Sequence, residues 1–315
     1  MKTRKGFTLL EMLIVIGIIA ILVGVMMTSF SGSSDSARAA QCLNNMRSLS
    51  NAVIAFTAAY DPNVYPAAGT YKYLAFDSRK GGMVPLTEGG WIGLGRGDSE
   101  VGSYYADDDK AQYYAITNGV IWRYIRGGRS SYTCPTHVLA ARKEKLTPAW
   151  SYVMNSYFGW KVDGKPAKNH DVRRRRSDMN LPFYYKASNV GTLSRSPSKT
   201  LLFAEMPFVE QPGLQTAQFS TGSGIAFDAV LQYDANEEGL NPNLSSAANN
   251  GQSESIGFNH RNGKHGDYMA HVAFADGHVE KIPLRGGAAD IKKLTTYLCA
   301  GRGYTLTAKG YEKAD

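Results

Sequence analysis

A chain of 315 residues with 43% hydrophobic content can fill one sizeable core beyond an anchor, or at most two small ones. Its 35 Lys and Arg against 27 Asp and Glu give +8; three of the positive charges lie in the first six residues, leaving 32 against 27, a net +5. That mild excess does not argue for nucleic acid, three cysteines allow one disulfide with a thiol left over, and 33 Gly with 19 Tyr suit a loop-rich, exported domain.

The chain opens on a basic leader, Met1 to Gly6 with Lys2, Arg4 and Lys5, and runs into an apolar segment from Phe7 to Met27 whose one ionisable residue is Glu11. At about 1.5 Å per residue this segment reaches roughly 30 Å, the thickness of a bilayer's hydrocarbon core. The basic leader, and the lack of Lys or Arg until Arg38, put the amino terminus in the cytoplasm and everything beyond the segment outside. A secretory signal would have a shorter apolar run and a small-x-small cleavage site. A plain anchor gives no reason for a carboxylate that costs about 2.5 to 3.5 kcal/mol in lipid. A lipoprotein signal would need a cysteine near the cleavage point, and the first is Cys42.

Basic leader, Gly6-Phe7 junction, Glu11 five residues into the mature chain and an uninterrupted span together resemble the class III signal of type IV pilins and type II secretion pseudopilins. The resemblance implies that a prepilin peptidase cuts after Gly6 and methylates the new amino terminus at Phe7. It also implies that Glu11 pairs with that charged terminus on a neighbouring subunit, which sets the stagger of packed helices. The implied fold is α+β and pilin-like, a long amino-terminal helix packed on an antiparallel sheet. Residues 1–6 are then a cleaved leader, 7–27 a membrane or filament-core helix, 28–60 its amphipathic continuation and 61–315 the exported domain. The partners implied are the peptidase, other pilins or pseudopilins, an inner-membrane assembly platform and the membrane itself. The resulting location is the inner membrane, single-pass, with the domain periplasmic or extracellular.

Farther along, Thr28 to Ser36 is serine-rich with Gly32, a weak point in a long helix rather than a break. From Ala37 a helical period returns in Ala39, Cys42, Met46, Leu49, Val53, Phe56 and Tyr60, and Asp61-Pro62 ends it. The stripe reads as ordinary core packing. Trp91 stands in a glycine-rich stretch without the frame of a phosphate loop, hence a loop. Asp107, Asp108 and Asp109 lack the alternate spacing that wraps calcium and read as a solvated helix start. Asn118 to Ile125 has helical spacing, ended by Gly127-Gly128. Tyr132 to Pro135 reads as a short strand or turn carrying Cys134, and Ser151 to Trp160 as the start of a sheet. The run Arg173 to Arg176 reads as a solvated loop, Thr200 to Glu205 as a strand, Gln211 to Gln252 as an exposed excursion and Asp290 to Cys299 as a closing helix.

Several of these segments resemble, in order, blocks of pilin-like proteins common in planctomycetes and verrucomicrobia. They are Cys42 to Tyr60, Asn118 to Pro135, Ser151 to Gly159, Ser196 to Glu205 and Val272 to Ile282. That group's closing motif has a histidine nine residues before Asp-Gly, whereas here His265 stands ten residues before Asp276. Cys42 and Cys134 both fall in such blocks, so the resemblance makes them the expected disulfide, against the alternative of three free, buried thiols. Calcium is the one ion it keeps open; otherwise no cofactor is implied.

Asp276-Gly277 between alternating apolar runs predicts a two-residue type I′ hairpin, with Ala275 opposite His278 and Phe274 opposite Val279. Four of the six histidines, His260, His265, His271 and His278, lie within 19 residues. In that register His271 and His278 are roughly 13 Å apart at about 3.3 Å per residue, too far for one ion. A site from His260 or His265 would need the preceding loop to fold back, so no metal ligands are assigned and the histidines read as serving the hairpin. No Gly-x-Ser-x-Gly, His-Glu-x-x-His or zinc-spaced cysteine pair occurs. The chain therefore reads as a non-enzymatic structural subunit of a secretion or pilus filament. The alternative is a membrane-anchored binding or hydrolytic protein that borrows the pilin export route.

Overall fold

The computed structural model describes residues 7–59, 65–66, 68, 83–85, 90–93, 109–143, 147–155, 158, 160–162, 196–208, 229–231, 255–262, 267–299, 304–307 and 310–313. Gly6, Tyr60, Asp61, Pro62, Asp107, Asp108, Arg173 to Arg176, His265 and nearly all of Gln211 to Gln252 lie outside them.

Helix α1 runs unbroken from Leu9 to Ala59, 51 residues, about 77 Å at 1.5 Å per residue. The serine-rich stretch therefore bends no backbone out of the helix. No proline interrupts it, and its start carries a cap that the sequence reading passed over. Thr8 Oγ1 accepts from the Glu11 backbone N–H at 3.3 Å, and Glu11 Oε2 accepts from the Thr8 backbone N–H at 2.8 Å. This reciprocal pair is a capping box, which satisfies orphan amides at a helix start.

The two halves of α1 have opposite surroundings. Phe7, Leu9, Leu10, Ile16 and Ile21 are more than half exposed, whereas Ala39, Cys42, Met46, Leu49, Val53 and Phe56 are all buried. Among the described residues no helix is long and apolar enough to cross a membrane.

The buried stripe of α1 packs on a sheet of six strands: β2 (Tyr152–Asn155), β4 (Leu201–Glu205), β5 (Val230–Leu231), β6 (His260–Asn262), β7 (Asp267–Phe274) and β8 (Val279–Pro283). The order is β5-β2-β4-β7-β6, with β8 on the other edge of β7. All pairs are antiparallel except β2 with β5, so the fold is α+β, a long amino-terminal helix followed by an antiparallel sheet region. All five residues of β4 are buried, as expected for a strand with neighbours on both edges and layers on both faces. Two smaller ribbons accompany the sheet, β1 (Met83–Pro85) with β3 (Trp160–Val162), and β9 (Tyr304–Thr307) with β10 (Gly310–Lys313). The latter was not foreseen. Tyr311 is buried there, donating to the Pro283 carbonyl and accepting from the Arg285 N–H.

Short helices complete the domain: α2 (Asp109–Thr117), α3 (Pro135–Lys143) and α4 (Ala288–Cys299). One expectation is corrected here. Asn118 to Ile125 forms only a short 3-10 turn at Trp122–Tyr124, because the chain at Gly119 passes within contact of Trp91, where a Cβ would lie 2.2 Å from the Trp91 carbonyl oxygen. Cys134, expected on a short strand or turn, lies off the strands and directly before α3, whose first residue is Pro135, a position where the missing N–H costs nothing. Trp91 is a core residue, fully buried, with Nε1 donating to the Ala229 carbonyl at 3.1 Å and its ring 4.9 Å from that of Phe203.

The β7–β8 hairpin departs from the predicted register by one residue. Ala273 pairs with Val279, and Phe274 N–H donates to His278 O at 2.9 Å, leaving Ala275, Asp276 and Gly277 as a three-residue loop. Of these three only Gly277 has positive φ, +92°. A type I′ turn requires positive φ at both central positions. Asp276 instead keeps ordinary φ, and its Oδ1 accepts from the His278 N–H at 3.2 Å.

Candidate functional site

Among the described residues, two places carry chemistry. The first is the start of α1. Phe7, the predicted methylation residue, is 74% exposed. Glu11, four residues farther, uses one carboxylate oxygen to accept from both Thr8 N–H and Thr8 Oγ1–H, at 2.8 and 2.9 Å. In the single chain the carboxylate predicted to face a neighbouring subunit thus has a local partner. It sits among exposed apolar side chains.

The second lies under α1, and the sheet topology builds it. Strands β4 and β6 share one edge of β7: Ala204 pairs with Val272, and His260 pairs with Met269. One step beyond Ala204 along that register, Glu205 comes opposite His271, so Glu205, His260 and His271 crowd one face. Tyr152 on β2 pairs with Glu205 from the other side. That face meets α1 at Cys42. All five residues are buried.

Glu205 Oε1 is the hub. It lies 2.7 Å from His271 Nδ1, 3.1 Å from His260 Nε2 and 2.8 Å from Cys42 Sγ. Its second oxygen accepts from Asn259 Nδ2 at 3.0 Å. Tyr152 OH is 3.2 Å from Cys42 Sγ, and Thr136 Oγ1 is 3.4 Å from His260 Nδ1. The two imidazole rings are 4.6 Å apart. Among the described residues His271 Nε2 is buried without a hydrogen-bond partner.

Cys134 stands one layer out, with Sγ 3.6 Å from His260 Nε2 and a hydrogen bond to Cys42. The expected Cys42–Cys134 disulfide is absent from this structure: Cys42, Cys134 and Cys299 are free, buried thiols. The resemblance did place the first two together, since both belong to this cluster. Behind them His137 Nδ1 contacts Ser151 Oγ at 2.8 Å, and its ring stacks on Phe208 at 4.4 Å.

The electrostatics follow from burial and these contacts. Burial alone would raise the Glu205 carboxyl, but the His260 and His271 imidazoles outweigh it and hold the group far below the usual carboxylate range. Burial alone would lower His260, yet the charge of Glu205 carries it up to about 10. Burial pushes the Cys42 thiol well up, with Cys134 and Glu205 adding to it. Cys134 runs the other way: hydrogen bonds with Cys42 and His260 overcome burial and bring it to about 6. His137 falls to about 3 through burial.

The predicted histidine group is thus divided. His260 and His271 meet at Glu205, whereas His278 lies beyond the hairpin loop, its ring stacked on Phe274 at 4.3 Å and its Nδ1 2.5 Å from Asp276 Oδ1. His271, read from the sequence as serving the hairpin, instead faces α1 with no exposure. From the sequence Glu205 reads only as the end of a strand, and Tyr152 only as part of the segment that starts a sheet. The signal that could have found Glu205 is its place: a carboxylate closing the apolar run TLLFA on a strand buried along its length has to find buried partners.

No curated protein and no solved structure matches the chain. Residues 1–27 match the family profile described as the prokaryotic N-terminal methylation motif. The chain therefore carries at its amino terminus the signal of type IV pilins and pseudopilins, that of an exported prepilin-type substrate.

Proposed function

We propose that this protein is a structural subunit of a type II secretion or type IV pilus-like filament. In this reading prepilin peptidase removes residues 1–6 and methylates Phe7. The apolar half of α1 first anchors the chain in the inner membrane, amino terminus inward, and then packs with the same half of other pilins or pseudopilins. The assembly platform receives it there, and the domain projects outward. The observation that carries this is the contrast along one unbroken helix. Downstream of the methylation motif, α1 exposes Phe7, Leu9, Ile16 and Ile21 while burying Met46, Leu49 and Phe56 in its own domain. An exposed apolar helix face of this length needs lipid or like helices to cover it.

Glu11 supplies the test. Glu11→Leu removes both the charge and the capping box with Thr8, whereas Glu11→Gln keeps a side chain suited to the cap and removes only the charge. Both variants should be inserted and cleaved at the parent's level, and both should be missing from sheared or cross-linked filament fractions. Parent-level incorporation of Glu11→Gln would mean that no charge pair with Phe7 directs assembly, and absence of the parent itself from those fractions would favour an anchored exported protein that does not polymerise.

A further inference from the structure

We propose that Cys42, Glu205, His260 and His271 form a binding site for a borderline divalent transition metal, zinc foremost, that clamps helix α1 to the sheet. The four ligand atoms all lie within 4.8 Å of one another, and all four residues are buried. Thiolate, carboxylate and two imidazoles are a four-donor set for tetrahedral zinc, with no position left for water, as in sites of structural type. Thiolate and imidazole are donors that calcium does not select.

Three features favour a cation over a cluster held by hydrogen bonds alone. Oε1 of Glu205 faces three would-be donors at once, with sulfur at 2.8 Å, the separation of an ordinary O–H···O bond although sulfur is the larger atom. With a metal at the centre, each of the four atoms instead directs a lone pair to one ion. Tetrahedral zinc with bonds of about 2.0 to 2.3 Å sets its ligand atoms about 3.4 to 3.6 Å apart.

Charge is the second feature. One carboxylate, one thiolate and two neutral imidazoles sum to −2, so a divalent ion leaves the buried centre neutral, which a buried group of this size requires. The two rings, 4.6 Å apart, then have no need of a proton each.

The third is the surrounding layer. Asn259 holds the other oxygen of Glu205, Thr136 reaches the far nitrogen of His260, and Tyr152 touches the sulfur of Cys42. Metal ligands are oriented by such outer partners.

The consequence for the molecule is geometric. Cys42 comes from α1 and the other three ligands from β4, β6 and β7, so the ion would join the filament-forming element to the domain it carries. Metal binding would then contribute to folding free energy, since the unfolded chain holds no such site.

The test uses the full chain, extracted in detergent and purified without chelator. Elemental analysis should find zinc at one equivalent, a strong chelator should lower Tm by several degrees, and added zinc should restore it. Cobalt in place of zinc should give a thiolate-to-metal charge-transfer absorption. Cys42→Ser should lose that absorption and bind zinc at least about 10-fold more weakly, the loss that even an outer-shell substitution gives, whereas Cys134→Ser should keep both. A chain that is metal-free as isolated and whose Tm ignores added zinc would overturn the proposal. So would a Cys42–Cys134 disulfide in native material, which consumes the ligand thiol. If Cys42→Ser does not fold, the parent's cobalt spectrum decides: absorption without a thiolate band means the site is not this one.

Discussion

Gly277 gathers two constraints in one residue. Its φ of +92° lies where side chains with a Cβ are strained, and a Cβ there would stand 2.5 Å from Ile54 Cδ1 on α1. Gly277→Val therefore meets backbone strain and a packing clash together, each of order 1 to 3 kcal/mol. It should destabilise the domain by about 2 to 6 kcal/mol in denaturant unfolding of the detergent-extracted chain. Ile54→Ala in the same background should return part of that loss, because it removes the clash and leaves the strain. Asp276 contributes by capping the strand that follows, through His278 N–H, and its effect on replacement should be the smaller.

At the scale of elements, the docking of α1 on its domain combines an apolar stripe with polar contacts, those of Cys42 to Glu205 and Tyr152 and those of Asn45. Asn45, buried beside that stripe, donates through Nδ2 to the carbonyls of Ser130 and Thr133 at 3.0 and 2.9 Å, and accepts from Gln41 Nε2 at 2.9 Å. Those carbonyls lie at the end of a second 3-10 turn, Gly128–Tyr132, that precedes Cys134. Asn45→Asp keeps the shape and the bond from Gln41 Nε2 but points its second oxygen at two carbonyl oxygens, and should cost about 3 kcal/mol. Asn45→Ala, which only removes the bonds, should cost about half as much. Equal unfolding midpoints for Asn45→Asp and the parent would show that the Asn45 bonds do not hold α1.

For the whole molecule, α1 has two tasks. Its first half is apolar and exposed, and its second half completes the core of the domain. Processing should therefore leave the domain untouched. Intact-mass measurement of chain extracted from a host with active prepilin peptidase should show loss of residues 1–6 and gain of one methyl group, with Phe7 as the amino-terminal residue. An uncut chain in that host would contradict the cleavage reading. Folding of the domain, measured by its Tm, should be the same for cut and uncut chains, because nothing in residues 9–24 is buried against it.

Sequence alone determined what is encoded within a few turns of chain: the methylation signal in residues 1–27, the buried stripe from Ala39 to Phe56, the strand ending at Glu205 and the closing helix ending at Cys299. Periodicity and a short motif carry these, because neighbouring residues already decide which face is apolar. The hairpin was half legible. Asp276-Gly277 marks a turn, but the same pair serves a two-residue loop or a three-residue one, and the pairing of β7 with its neighbours chose the latter. The buried cluster was not legible as a site. Cys42 and Glu205 are 163 residues apart in the chain, Glu205 and His260 are 55 apart, and Glu205 and His271 are 66 apart. Their meeting depends on β4 and β6 sharing one edge of β7 and on α1 lying across that face. Those are long-range registers that no local pattern specifies, and a shift of one residue in any of them would turn the same side chains to the other face.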